Sequence, residues 1–124
     1  MPKILSAKAN IAKNRLYITI AGRISKEDLD RLYTDVRFCV ADLRPGFDVV
    51  NDLLDCPLAA LNGIPTFKKI ATYLAHNQVG RVVRVIKKRN IVFKQIVRVS
   101  AGMDDYKAIY VNSLEEANEA LDKT

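Results

Sequence analysis

One histidine, two cysteines and no tryptophan in 124 residues remove several kinds of chemistry at the outset. The single histidine, His76, has no acid or nucleophile beside it in the sequence. It sits near the end of an apolar-periodic segment and reads as a solvent-facing residue that complements a helix dipole. The two cysteines, Cys39 and Cys56, fit no metal-ligand or redox spacing. Cys39 lies in an apolar helical pattern, which predicts burial, and sparse cysteine usage points to a reduced, cytoplasmic protein. No stretch approaches the roughly 18 uninterrupted apolar residues of a transmembrane helix. The opening MPKILSAKANIAKNRLY has no long apolar core and no small-residue cleavage site, so a signal peptide is not expected.

Phosphate-binding fingerprints are also missing: there is no G-x-x-x-x-G-K-[ST] and no G-x-G-x-x-G. Ser100 and Ser113 lack the context of a nucleophile elbow. Asp52 and Asp55 have neither histidines nor a third acid nearby, and read as loop-capping, solvated residues. The expectation is therefore no catalytic residues, no metal, no cofactor and no enzymatic activity.

What is present is an ordinary globular composition, 49% apolar and 27% charged, in a length suited to one domain with its own core. The net charge of +6 is unevenly distributed. All 14 acidic residues lie in 1–55 or 104–124, whereas 56–103 carries nine basic residues and no acid. Such a segment can attract phosphates or an acidic protein. The tyrosines do not interleave with these cations as a base-stacking platform requires, so tight nucleic-acid binding is not expected.

The periodicities predict an α/β order. Residues 3–9 and 15–21 read as a hairpin, the second run (RLYITIA) alternating well. The segment ISKEDLDRLYTDVRFCVADL reads as an amphipathic helix with Ser25 as cap and Asp28 three residues on. RPG at 44–46 stops it. Residues 47–54 read as a strand, about 63–77 as a helix, and 81–86 as a strand with Arg81 and Arg84 on opposite faces. NIVFKQIVRVSAG suits strand or helix by composition; a helix closed by Gly102 supplies the crossover that two parallel strands need. Residues 107–111 read as a short strand, and NSLEEANEALDKT as a terminal helix capped by Ser113, with Glu116 completing the box. The predicted order is β-β-α-β-α-β-α-β-α, a mixed, largely parallel sheet with an N-terminal hairpin and helices packed on it.

This order, with RLYITIAGRI, DVVNDL, LNGIPTFKKIATYL and the closing IYVNSLEEANEAL, resembles the STAS domain, the fold of bacterial anti-sigma-factor antagonists, over nearly the whole chain. LRPGFDVVNDL resembles a divergent branch of STAS-like bacterial proteins. The resemblance implies a regulatory domain that works by binding protein. In regulatory members an Asp-Ser-Ser-Gly motif opens the helix after the third strand, and its second serine is phosphorylated by a partner kinase. By position that motif matches Ala60, Leu61, Asn62 and Gly63. The glycine is kept; the acid and both serines are gone, which argues against a serine-phosphorylation switch here.

The candidate binding residues follow from this junction. Asparagine is a strong N-cap, so Asn62 with Gly63 and Pro65 suits a helix start, and first-turn amides can take an anion or a carboxylate. Lys87, Lys88 and Arg89 cluster at the carboxyl end of the strand 81–86, the end at which α/β sheets bind ligands. The leading expectation is a non-enzymatic, cytoplasmic domain that binds another protein or a second copy of itself, with no membrane partner. The alternative is a small-anion or nucleotide sensor built on the 58–65 loop and the Lys87–Arg89 cluster.

Overall fold

The computed structural model describes residues 3–56, 64–87 and 108–123. Two seven-residue strands, β1 (Ile4–Asn10) and β2 (Arg15–Ala21), pair antiparallel from Ile4–Ala21 to Asn10–Arg15. The connecting loop closes on Asn14, whose φ of 52° lies in a region that asparagine tolerates. Its side chain holds the turn after the first helix: Oδ1 accepts from Arg44 N at 2.8 Å, and Nδ2 donates to Arg44 O at 3.2 Å.

Helix α1 (Lys26–Ala41) starts at the predicted cap. Ser25 Oγ accepts from Asp28 N at 3.2 Å, and Asp28 Oδ2 accepts from Ser25 N at 2.8 Å. Then follow β3 (Asp48–Asp52), α2 (Ile64–His76), β4 (Val82–Val85), β5 (Ile109–Val111) and the terminal helix α3 (Leu114–Asp122). The sheet order is β1-β2-β3-β4-β5, and β2 to β5 run parallel. The mixed, largely parallel α/β sheet with an N-terminal hairpin is therefore present. The predicted helix over 90–102 lies outside the described residues, as does the stretch 57–63 that leads into α2.

Period-2 alternation sends opposite sets of side chains to the two faces. Leu16, Ile18, Ile20, Val49 and Val82 meet Leu29, Leu32, Val36 and Val40 of α1 and Ile70 and Leu74 of α2. On the other face Val50, Val83 and Val85 pack on Ala117 and Leu121 of α3. Each such aliphatic side chain, fully buried, contributes about 1.5–3 kcal/mol. Val83 and Val85 are both fully buried although β4 is only four residues long, as expected for an interior parallel strand.

Two local expectations need correction. Cys39 is only half-buried: it flanks the apolar stripe of α1, while Leu29, Leu32, Val36 and Val40 occupy its centre. At α3, Ser113 Oγ accepts from Glu116 N at 3.1 Å, but the Glu116 carboxylate accepts from Asn112 N rather than from the cap residue's own amide.

Candidate functional site

The carboxyl ends of β3, β4 and β5 bring Leu53–Cys56, Ile86–Lys87 and Asn112–Ser113 to one end of the sheet. The loops are laced by short bonds. Gly22 N donates to Asp55 O at 3.1 Å, and Asn112 Nδ2 donates to Ile86 O at 3.2 Å. Asp52 Oδ1 accepts from Leu54 N at 3.2 Å, the capping role predicted for it. Asp55 Oδ1 lies 3.9 Å from Lys87 Nζ, with both side chains well exposed. Cys56 is buried, and burial pushes its thiol up to about 11, which keeps it protonated and a poor nucleophile.

Of the sequence-predicted residues, Lys87 is at this edge, exposed and facing Asp55. Asn62, Gly63, Lys88 and Arg89 lie outside the described residues. His76 is exposed at the end of α2. Among the described residues no three histidines, cysteines or carboxylates gather into a metal-holding group. No described helix is long and apolar enough to cross a membrane.

The basic segment does not form one surface in its described part. Arg81 and Arg84 take opposite faces, as the alternation requires: Arg81 pairs with Asp48 and donates to Leu121 O beside α3, and Arg84 reaches Tyr110 Oη at 3.4 Å. Lys69 lies over the Tyr33 ring at 4.9 Å, with Arg37 at 5.7 Å, and Tyr73 meets Tyr33 edge-on at 5.9 Å. That arrangement is a cation–π clasp between α1 and α2.

Sequence reading missed a polar row beneath the carboxyl edge. Asn51, Arg84 and Tyr110 are register partners on three successive strands, and Arg84 is 3% exposed. The signal was available: Arg84 shares its alternation with Val82 and Ile86, both buried. A second cluster lies at the opposite end of the sheet. Arg15, 4% exposed, donates to Asp122 Oδ1 at 2.9 Å, to Asn118 Oδ1 at 3.2 Å and to Tyr17 Oη at 3.3 Å. Tyr17 Oη donates to Asn118 Oδ1 at 2.6 Å. Burial works against the Arg15 charge, but the Tyr17 and Asp122 bonds outweigh it and raise its pKa. Asp122 is lowered in turn by Arg15 and then Lys13. This cluster fastens α3 to the amino ends of the strands, away from the ligand-binding end of an α/β sheet. Against known proteins, the chain matches no family model and no curated sequence.

Proposed function

We propose that the chain is a non-enzymatic, STAS-like regulatory domain that binds a protein partner at the carboxyl edge of its sheet and is not switched by serine phosphorylation. The observation that carries this reading is the strand arrangement, an antiparallel hairpin leading into four parallel strands in the order β2-β3-β4-β5. It gathers the β3, β4 and β5 loops and the cap of α3 at one end. The sequence supplies no paired nucleophile and base to set against it. Asn62 has no hydroxyl to esterify and stands where the family's phospho-acceptor stands. The Asp55 carboxylate facing Lys87 weighs against the anion-sensor alternative, because it offers competing negative charge at the cation the anion would use.

The test is affinity capture with the wild-type chain, Asn62→Asp and Gly63→Trp, alongside thermal melting. A partner held by wild type and lost by both variants, at near-wild-type melting temperature, supports the reading. A partner captured equally by all three removes this edge from the interface.

A further inference from the structure

We infer that the outer edge of β1 accepts an extended peptide segment of another protein as a sixth strand, laid in the cleft between β1 and α1. Among the described residues the strand ends the sheet on that side, with β2 as its neighbour on the other. Its pairing register runs unbroken over seven residues, and it contains no proline. No residue of it is buried. Alternate residues of such an edge turn their N–H and C=O groups outward, and what those groups recognise is another extended backbone. Lys8 is the only charged side chain within the strand, a light defence for an edge of this length.

The second wall is the flank of α1 turned away from α2. Tyr33 and Asp30 face α2, through Tyr73 and Thr66; Asp28, Arg31, Leu32 and Asp35 line the cleft with Lys3 and Leu5 of the β1 side. Its volume is about 200 Å³, below the roughly 300–1,000 Å³ of small-molecule sites but enough for side chains from one strand. Lys3 closes one end on the Asp28 carboxylate at 3.1 Å. Arg31 and Asp35 have no ion-pair partner among the described residues. Four residues of helix rise about 6 Å, close to the roughly 6.6 Å between same-face residues i and i+2 of a strand. The wall therefore suits a segment with an acidic residue facing Arg31, a basic one two positions away facing Asp35, and an apolar side chain against Leu5 and Leu32.

A second copy fits this edge worse than a lone segment. Helix α1 packs chiefly on β1 rather than over the middle of the sheet, an approach that the small Ala7 beneath it permits. Two copies joined β1 to β1 would set their α1 axes about one strand spacing apart, roughly 4.8 Å, where packed helices need about 8–10 Å. A single strand brings no helix.

The probe is a library of random dodecapeptides selected on the immobilised full chain, with selected peptides resynthesised and bound in solution while amide exchange is followed. Alternate amides within residues 4–10 should exchange about tenfold more slowly with peptide. The Asp48 amide donates to Asn14 O, so Arg15, Tyr17, Thr19 and Ala21 turn toward β1, and by the register Ser6 spends its N–H on β2 while Ala9 turns its own outward. Ala9→Pro should melt near wild type yet lose binding about tenfold or more, while Ser6→Pro loses stability. Selection on the Arg31→Glu/Asp35→Lys chain should return peptides with the charges reversed. The proposal is overturned by a selection that yields no binder, by a footprint elsewhere, by binding indifferent to both prolines, or by β1-dependent dimers in sedimentation. These substitutions sit in β1 and α1, whereas the carboxyl-edge reading is tested at positions 62 and 63, so failure of the proposal and failure of the carboxyl-edge reading are separable.

Discussion

Asp48 and Arg81 hold the amino ends of β3 and β4 together through three bonds: Oδ1 accepts from the Arg81 amide at 2.9 Å and from Nε at 3.3 Å, and Oδ2 accepts from Nη2 at 2.9 Å. The Asp48 side chain is 14% exposed and that of Arg81 39%, so most of the worth lies in satisfying donors rather than in the Coulombic pair. Asp48→Ala should cost about 1–3 kcal/mol in urea unfolding. Arg81→Met, which spares the backbone bond but removes the charge, should cost clearly less. Equal losses would show that the ion pair dominates.

The residue just before Arg81 is under a different constraint. A Cβ on Gly80 would lie 2.5 Å from the carbonyl oxygen of Gly46 and 3.0 Å from Asp48 Oδ1. Backbone cannot swing away as a side-chain tip can, so Gly80→Ala should destabilise by about 1–3 kcal/mol. Gly46 has open space around it but a φ of +87°, so Gly46→Ala should cost about 1–2 kcal/mol. Asparagine separates the two causes. Gly46→Asn should be milder than Gly46→Ala, because asparagine tolerates positive φ, whereas Gly80→Asn should be no better than Gly80→Ala. Thermal melts of the four variants decide this.

The Ser25 amide, followed by Lys3, holds the Asp28 carboxyl down to about 2, against 3.8 for the free group. A folded-state pKa below the unfolded one gives stability that is fully present above the unfolded value and lost as pH falls through the folded one. The loss attributable to Asp28 should thus fall between about pH 3.8 and 2. Carboxyl NMR titration should place its midpoint near the lower end, and Asp28→Asn should flatten the acid limb of the stability curve over that interval. A midpoint near 3.8 would mean that the capping box does not persist in solution.

Tyr17 and Asn118 share the Arg15 cluster, with the hydroxyl 2.6 Å from Asn118 Oδ1. Tyr17→Phe and Asn118→Ala should each destabilise, and together by less than the sum, with a coupling of about 0.5–3 kcal/mol. Additive losses in a double-mutant cycle would reduce the contact to coincident neighbours.

Local devices were legible because their partners lie a few bonds apart in the chain. The Ser25–Asp28 box spans three residues, and both of its bonds form. Alternation in RLYITIA put Leu16, Ile18 and Ile20 on one face, and all three are buried. The same alternation separated Arg81 from Arg84. Where one local pattern had two equivalent solutions, reading failed: Glu116 had two nearby amides to serve and took that of Asn112, and Cys39 sat at the margin of the helical stripe, where a small rotation decides exposure.

The candidate edge was legible only in outline. The sequence placed Lys87 at a strand end, but not opposite Asp55, which is 32 positions away.

Spacing and propensity alone determined the described strands, the caps of α1 and α3 and the α/β class. These depend on hydrogen bonds and side-chain periods within one segment. The tertiary structure alone decided the sheet order, the Asn51–Arg84–Tyr110 row, the Arg15–Asp122 pair 107 positions apart and the cleft between β1 and α1. Each depends on register between segments, which is set when whole faces bury against one another and one-residue slips would expose the core.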